Sequence, residues 1–271
     1  MNFVDTHCHI HEAKASASGD DMVHEKWVKG GFNDPLALID EANEAGVTRL
    51  ICVGCTLFDS QMAIKLASEQ ENCWATVGIH PHEAKDHMKQ STQDEFEKLL
   101  SEPKVVAIGE CGLDYFYNHS PKADQIKILE FQLEMAKKHN LPLIFHIREA
   151  FEDFWPIFDQ FQGLRGVVHS FSSDTLHLDQ ILSRGLYVGL NGIMTFTKNA
   201  DQLEAAKTVP VDKLLLETDA PFLTPAPYRG TICRPKHIVC TAEFLAGLRE
   251  QSLDTIATAT TQNACNLFSI N

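Results

Sequence analysis

The chain has 271 residues, 44% hydrophobic and 22% charged, with a formal net charge of −14. That is ordinary globular composition, enough for a large core, and a single (β/α) barrel of this size is routine. The acid excess argues against a basic nucleic-acid-binding stripe, and no run approaches the roughly 18 apolar residues of a membrane span. A phosphodiester substrate would therefore need another source of positive charge, such as bound divalent cations. The N-terminus lacks a basic region followed by an apolar one, so no secretory signal is read and a cytoplasmic protein is expected. Cys8, Cys52, Cys55, Cys73, Cys111, Cys233, Cys240 and Cys265 are expected as reduced thiols. Cys52-x-x-Cys55 has no second CxxC to make a zinc knuckle.

Apolar, β-rich runs alternate with segments of helical period. In chain order the strands are FVDTHCHI (3–10), RLICVGC (49–55), CWATVGIH (73–80), VVAIGEC (105–111), PLIFHIR (142–148), GVVHSF (166–171), LYVGLNG (186–192) and KLLLETDA (213–220). Helical period marks 35–46, 59–70, 120–140 and 174–185, and two helices close the chain over 234–251 and 252–270. Residues 12–33, with His24 and Trp27, read as a long polar first βα loop. Eight strands alternating with helices predict a parallel sheet closed into a (β/α)8 TIM barrel, one domain over residues 1–271. An open doubly wound sheet is the alternative, but no GxGxxG follows the first strand.

Ionisable side chains fall at the C-terminal ends of these strands. They are His7 and His9, His80 and His82, Glu110, His146, His169, and Glu217 with Asp219. In a barrel those ends converge on the mouth where active sites are built. One strand-end histidine is ordinarily a satisfied polar residue. Six such placements on separate strands are hard to credit to packing, because buried imidazoles and carboxylates need partners or cations. His7 and His9 share a face at i and i+2, while Cys8 points the other way. His11 is read as a loop residue past the strand. The set suits Zn, Mg or Mn.

The motifs DTHCH (5–9), GIHPH (78–82), GECGLDY (109–115), PLIFHIRE (142–149), GVVHSFS (166–172), GLNG (189–192), LLLETDAPFLTP (214–225) and RP (234–235) run in order along the chain. In this set the chain resembles the TatD-family metal-dependent hydrolases and deoxyribonucleases of the amidohydrolase-like superfamily. The resemblance implies two divalent ions, with His7, His9 and Asp219 on one and His146 and His169 on the other. It also implies that Glu110 bridges them and that His80 touches substrate phosphate or an extra metal. The implied activity is 3′-exonuclease-like, with a metal-activated water attacking phosphorus while Asp219 takes its proton. Arg148, Arg229 and Arg234 are candidates for holding phosphate, against solvated or helix-capping roles. Tyr115, with Phe116 and Tyr117, is a candidate for stacking bases, against packing under its loop. Glu217 is a candidate for orienting a ligand. The expected partner is DNA or another phosphodiester, single-stranded or frayed at its ends; a monomer is compatible with the sequence. Two alternatives stand: an ester or amide hydrolase of the same fold, such as an aminoacyl-tRNA deacylase, and a non-catalytic metal-binding protein.

Overall fold

A computed structural model describes residues 1–14 and 22–270. In chain order its elements are β1 (Phe3–Cys8), α1 (Met22–Lys29), α2 (Pro35–Glu44), β2 (Val47–Cys52), α3 (Leu57–Glu69), β3 (Cys73–Val77), α4 (Gln90–Leu99), β4 (Val105–Asp114), α5 (Lys122–His139), β5 (Leu143–Arg148), α6 (Phe151–Phe158), β6 (Gly166–Val168), α7 (Thr175–Ser183), β7 (Tyr187–Leu190), α8 (Ala200–Thr208), β8 (Leu214–Leu216), α9 (Ile238–Leu248) and α10 (Leu253–Phe268). The eight expected strands are all present, and their order in the sheet is their order in the chain. That topology is the (β/α)8 TIM barrel, and it rules out the doubly wound alternative, whose strand order reverses.

The polar first loop needs correcting. Residues 22–29 are helix α1, which buries Trp27; residues 15–21 lie outside the described part of the chain. Helices α4, α6 and α8 also escaped the sequence reading. Helix α4 buries Phe96 alone among its residues, so its apolar period is too sparse to see. Helix α6 carries Pro156 inside it, which reads as a breaker. Helix α8 buries Ala205 and Ala206, too small to mark a face.

The chain forms two compact units. The first comprises Met1–Cys52 and Ser170–Asn271. In it β1 runs parallel to β2, with Asp5 opposite Leu50, and β7 runs parallel to β8. Val4, Leu50, Val188, Leu190, Leu215, Ile256 and Leu267 are buried in its core. Helix α2 begins at Asp34, whose side chain accepts from Leu36 N, with Pro35 in the first turn. Ser252 caps α10 in the same way through Thr255 N.

The second unit is Val53–His169. Strands β3, β4, β5 and β6 pair in parallel. Val77, Ile108, Leu129, Leu133, Ile144, Phe145 and Phe154 are buried in its core. In the β4–β5 register Gly112 faces His146 and Asp114 faces Arg148. Gly112 has φ +149°, and a Cβ there would stand 1.8 Å from the His146 carbonyl oxygen. A side chain at this position would force the two strands apart.

Candidate metal-binding clusters

In the first unit, His7 and His9 leave β1 on one face, their Nε2 atoms 3.3 Å apart. Asp219 Oδ1 lies 3.6 Å from His7 Nε2 and 3.5 Å from His9 Nε2. Donors about 2.1 Å from a tetrahedral ion stand about 3.4 Å apart, so these three atoms fit one cation. The backbone explains the convergence. Asp219 N donates to His7 O and His9 N donates to Ala220 O, both at 2.8 Å. Asp5, buried beneath them, accepts from Thr218 Oγ1 at 2.6 Å and Thr218 N at 2.9 Å. Burial lifts the Asp5 carboxyl to about 7 despite those donors. Asp219 itself sits at φ +59°, in the left-handed region that aspartate tolerates better than most residues. His11, expected in a loop, lies in a short buried 3₁₀ turn, Ile10–Ala13.

In the second unit, the cluster is built on Glu110 of β4. Its Oε1 lies 2.8 Å from His146 Nδ1, 3.6 Å from His80 Nε2 and 3.8 Å from His169 Nε2. His146 comes from β5, His80 follows β3, and His169 follows β6. His80, Glu110 and His146 are grouped closely enough to share an ion. The other nitrogen of His146, Nε2, lies 3.0 Å from Asp114 Oδ2, and His82 Nε2 meets the same oxygen at 3.0 Å. Asp114 also accepts from Phe116 N and Tyr117 N. Burial opposes its ionisation, but His146, His82 and the Tyr117 N–H hold its carboxyl far below the usual range. Burial likewise opposes protonation of His146, yet Asp114 and Glu110 outweigh it and raise this histidine to about 9. His80 goes the other way: burial lowers it to about 4 against the pull of Glu110. Its Nδ1 accepts from His82 N, so the neutral ring carries its proton on Nε2.

Sequence reasoning singled out every histidine of these clusters but missed Asp114. The signal was present, because Glu110 and Asp114 are four apart on one strand and so share a face. It also missed Cys55, whose thiol lies 3.9 Å from Glu110 Oε2.

The candidate substrate residues divide. In the second unit, the Arg148 guanidinium lies 4.2 Å from the Phe116 ring centroid and 4.6 Å from that of Tyr117. Both rings are 52% exposed, and Tyr117 stands edge-on to His82 with centroids 5.7 Å apart. Tyr115 instead donates its hydroxyl to Asp153 and lies under Lys122. In the first unit, Arg229 stacks on Phe196 and donates to Thr224 O. Arg234 donates to both oxygens of Glu41, at 2.7 and 3.0 Å, a structural tie. Glu217 is buried and accepts from Ser170 N and Asn191 Nδ2, shaping the segment after β6 and the end of β7.

The family model described as TatD related DNase matches residues 4–269. The chain belongs to the TatD family. This TatD chain is 36% identical over 236 residues to the uncharacterized metal-dependent hydrolase YabD of Bacillus subtilis, covering 86% of this chain and 92% of that one. It is 34% identical over 243 residues to the 3′-5′ ssDNA/RNA exonuclease TatD of Shigella flexneri, again covering 86% and 92%. The solved structure of the TatD homologue YJJV from Escherichia coli K12 matches with TM-score 0.87 at 27% identity, covering 99% of this chain and 98% of that one. Among the described residues, no helix of this TatD chain is long and apolar enough to cross a membrane. Its His/Asp/Glu clusters fit divalent metal binding.

Proposed function

We propose that this chain is a divalent-metal-dependent phosphodiesterase that trims single-stranded DNA from an end, and that it acts in the cytoplasm as one barrel domain. The observation that carries the reading is the pair of clusters, His7–His9–Asp219 and Glu110–His146–His169, in a chain whose relatives include a named single-strand exonuclease. Each cluster would hold one cation of the Zn, Mg or Mn class. Eight free cysteines fit a reducing compartment.

When bound, such cations lower the pKa of water and offset charge developing on phosphoryl oxygens. The chain's own residues do the rest. Asp219 accepts the proton of the attacking water. Asp114 holds His146 through Nε2, leaving Nδ1 for the cation. His80, whose Nε2 lies 3.6 Å from Glu110 Oε1, stands beside that cluster where it could donate to a phosphate oxygen. Phe116 and Tyr117, backed by Arg148, offer stacking surfaces for a terminal base.

The test is a substrate panel on metal-loaded protein: linear single-stranded DNA, the same sequence as RNA, and aminoacyl-tRNA. Mononucleotide release from DNA supports the reading. Turnover of the aminoacyl ester alone moves the chain to the ester-hydrolase alternative. Retained metal with no turnover leaves a binding protein.

A further inference from the structure

The first unit holds two cations for which the site above has no use. Lys26, on α1, places its ammonium 4.3 Å from the centroid of the Phe222 ring. Arg229 places its guanidinium 3.6 Å from the Phe196 centroid. Neither meets a carboxylate at ion-pair distance among the described residues, whereas nearby Arg234 and Lys236 both pair with Glu41.

Their positions are fixed from both sides. Phe222 N donates to Asp219 O at 2.8 Å, so the ring under Lys26 belongs to the turn that carries Asp219. Helix α1 is tied to the other ligand segment, because buried Trp27 donates its indole N–H to His9 O at 3.0 Å. The Lys26 ammonium is partly stripped of water, attracted by Asp219 and repelled by Arg229. The two like charges repel each other, each over an aromatic face, and an anion held by both relieves that repulsion.

We propose that Lys26 and Arg229 form a phosphate-binding pair beside the His7–His9–Asp219 cluster, holding a phosphoryl group of the substrate while the cation engages it. The proposal rests on the phosphodiesterase reading for the identity of the substrate, but not for the existence of the anion site. Lysine supplies a compact charge and arginine a forked donor, a combination suited to a tetrahedral oxyanion. It also gives α1 a purpose: this helix brings a cation to an acidic chain beside the His7–His9–Asp219 cluster.

The experiment measures binding of inorganic phosphate, and of a short phosphorothioate oligothymidylate, to metal-loaded wild type, Lys26→Met, Arg229→Met and the double variant. Methionine keeps the apolar stem and removes the charge. Metal content and circular dichroism should match wild type in all four. Each single variant should weaken both ligands about tenfold, and the double variant more. Lys26→Arg should recover most of the loss. In turnover, KM should rise while kcat changes less. Unchanged phosphate affinity in the double variant, at unchanged metal content, overturns the proposal. If phosphate binding falls as expected but the wild type hydrolyses no nucleic acid, the pair stands and the nuclease reading fails.

Discussion

Asp114 and Glu110 grip opposite nitrogens of one ring: His146 Nε2 is 3.0 Å from Asp114 Oδ2, and His146 Nδ1 is 2.8 Å from Glu110 Oε1. The other oxygen of Asp114, Oδ1, accepts from the backbone N–H groups of Phe116 and Tyr117, which fixes the carboxylate. The orientation of His146 is therefore set by the β4–turn segment and not by β5 alone.

Asp114→Asn should weaken metal binding at the Glu110 cluster by about 10- to 100-fold, the usual cost of losing a carboxylate behind a ligating histidine. The amide matches the carboxylate in size, so the thermal transition should move little. Calorimetric metal titration checks this, and wild-type affinity in the variant would show that Asp114 does not support the His146 ligand.

Gly112→Ala should destabilise the protein by about 3 kcal/mol or more, since both the positive φ and the backbone contact oppose a methyl group. Urea unfolding reads the loss. A shift of only a few tenths would mean that β4 and β5 separate more easily than their register implies.

Much of this was legible in the sequence. The alternation of His7 and His9 already places both on one face of the first strand, and the eight apolar runs define the order of the fold. These are local signals with a period of two. What was not legible depends on partners far away in the chain. Arg234 reads as a phosphate ligand until Glu41, 193 positions earlier, is found against it. Trp27 reads as part of a polar loop until its indole meets the His9 carbonyl. Helix α6 was hidden by Pro156, yet Phe154 and Phe158 anchor it on Phe145.

A pH prediction follows from His237, which is stacked on Tyr228 and buried. Burial, with Arg234 and Lys236 nearby, lowers it from 6.5 to about 4. The unfolded chain then takes up the proton first. This histidine's contribution to stability is full above pH 6.5 and is lost as pH falls through about 4. His237→Phe keeps the stacking and removes the titration, so its urea midpoint should fall less steeply than wild type over that window. Parallel curves would show that His237 titrates normally in the folded protein.

Metal-dependent hydrolysis from a chain end is the activity proposed for this protein. Its most direct test is the product pattern from one single-stranded DNA presented in linear and circular form, with divalent metal and after verified chelation. The expected result is stepwise mononucleotide release from the linear strand, an intact circle, and no hydrolysis of either without metal. Rapid cutting of the circle, or full activity in metal-free protein, would contradict it.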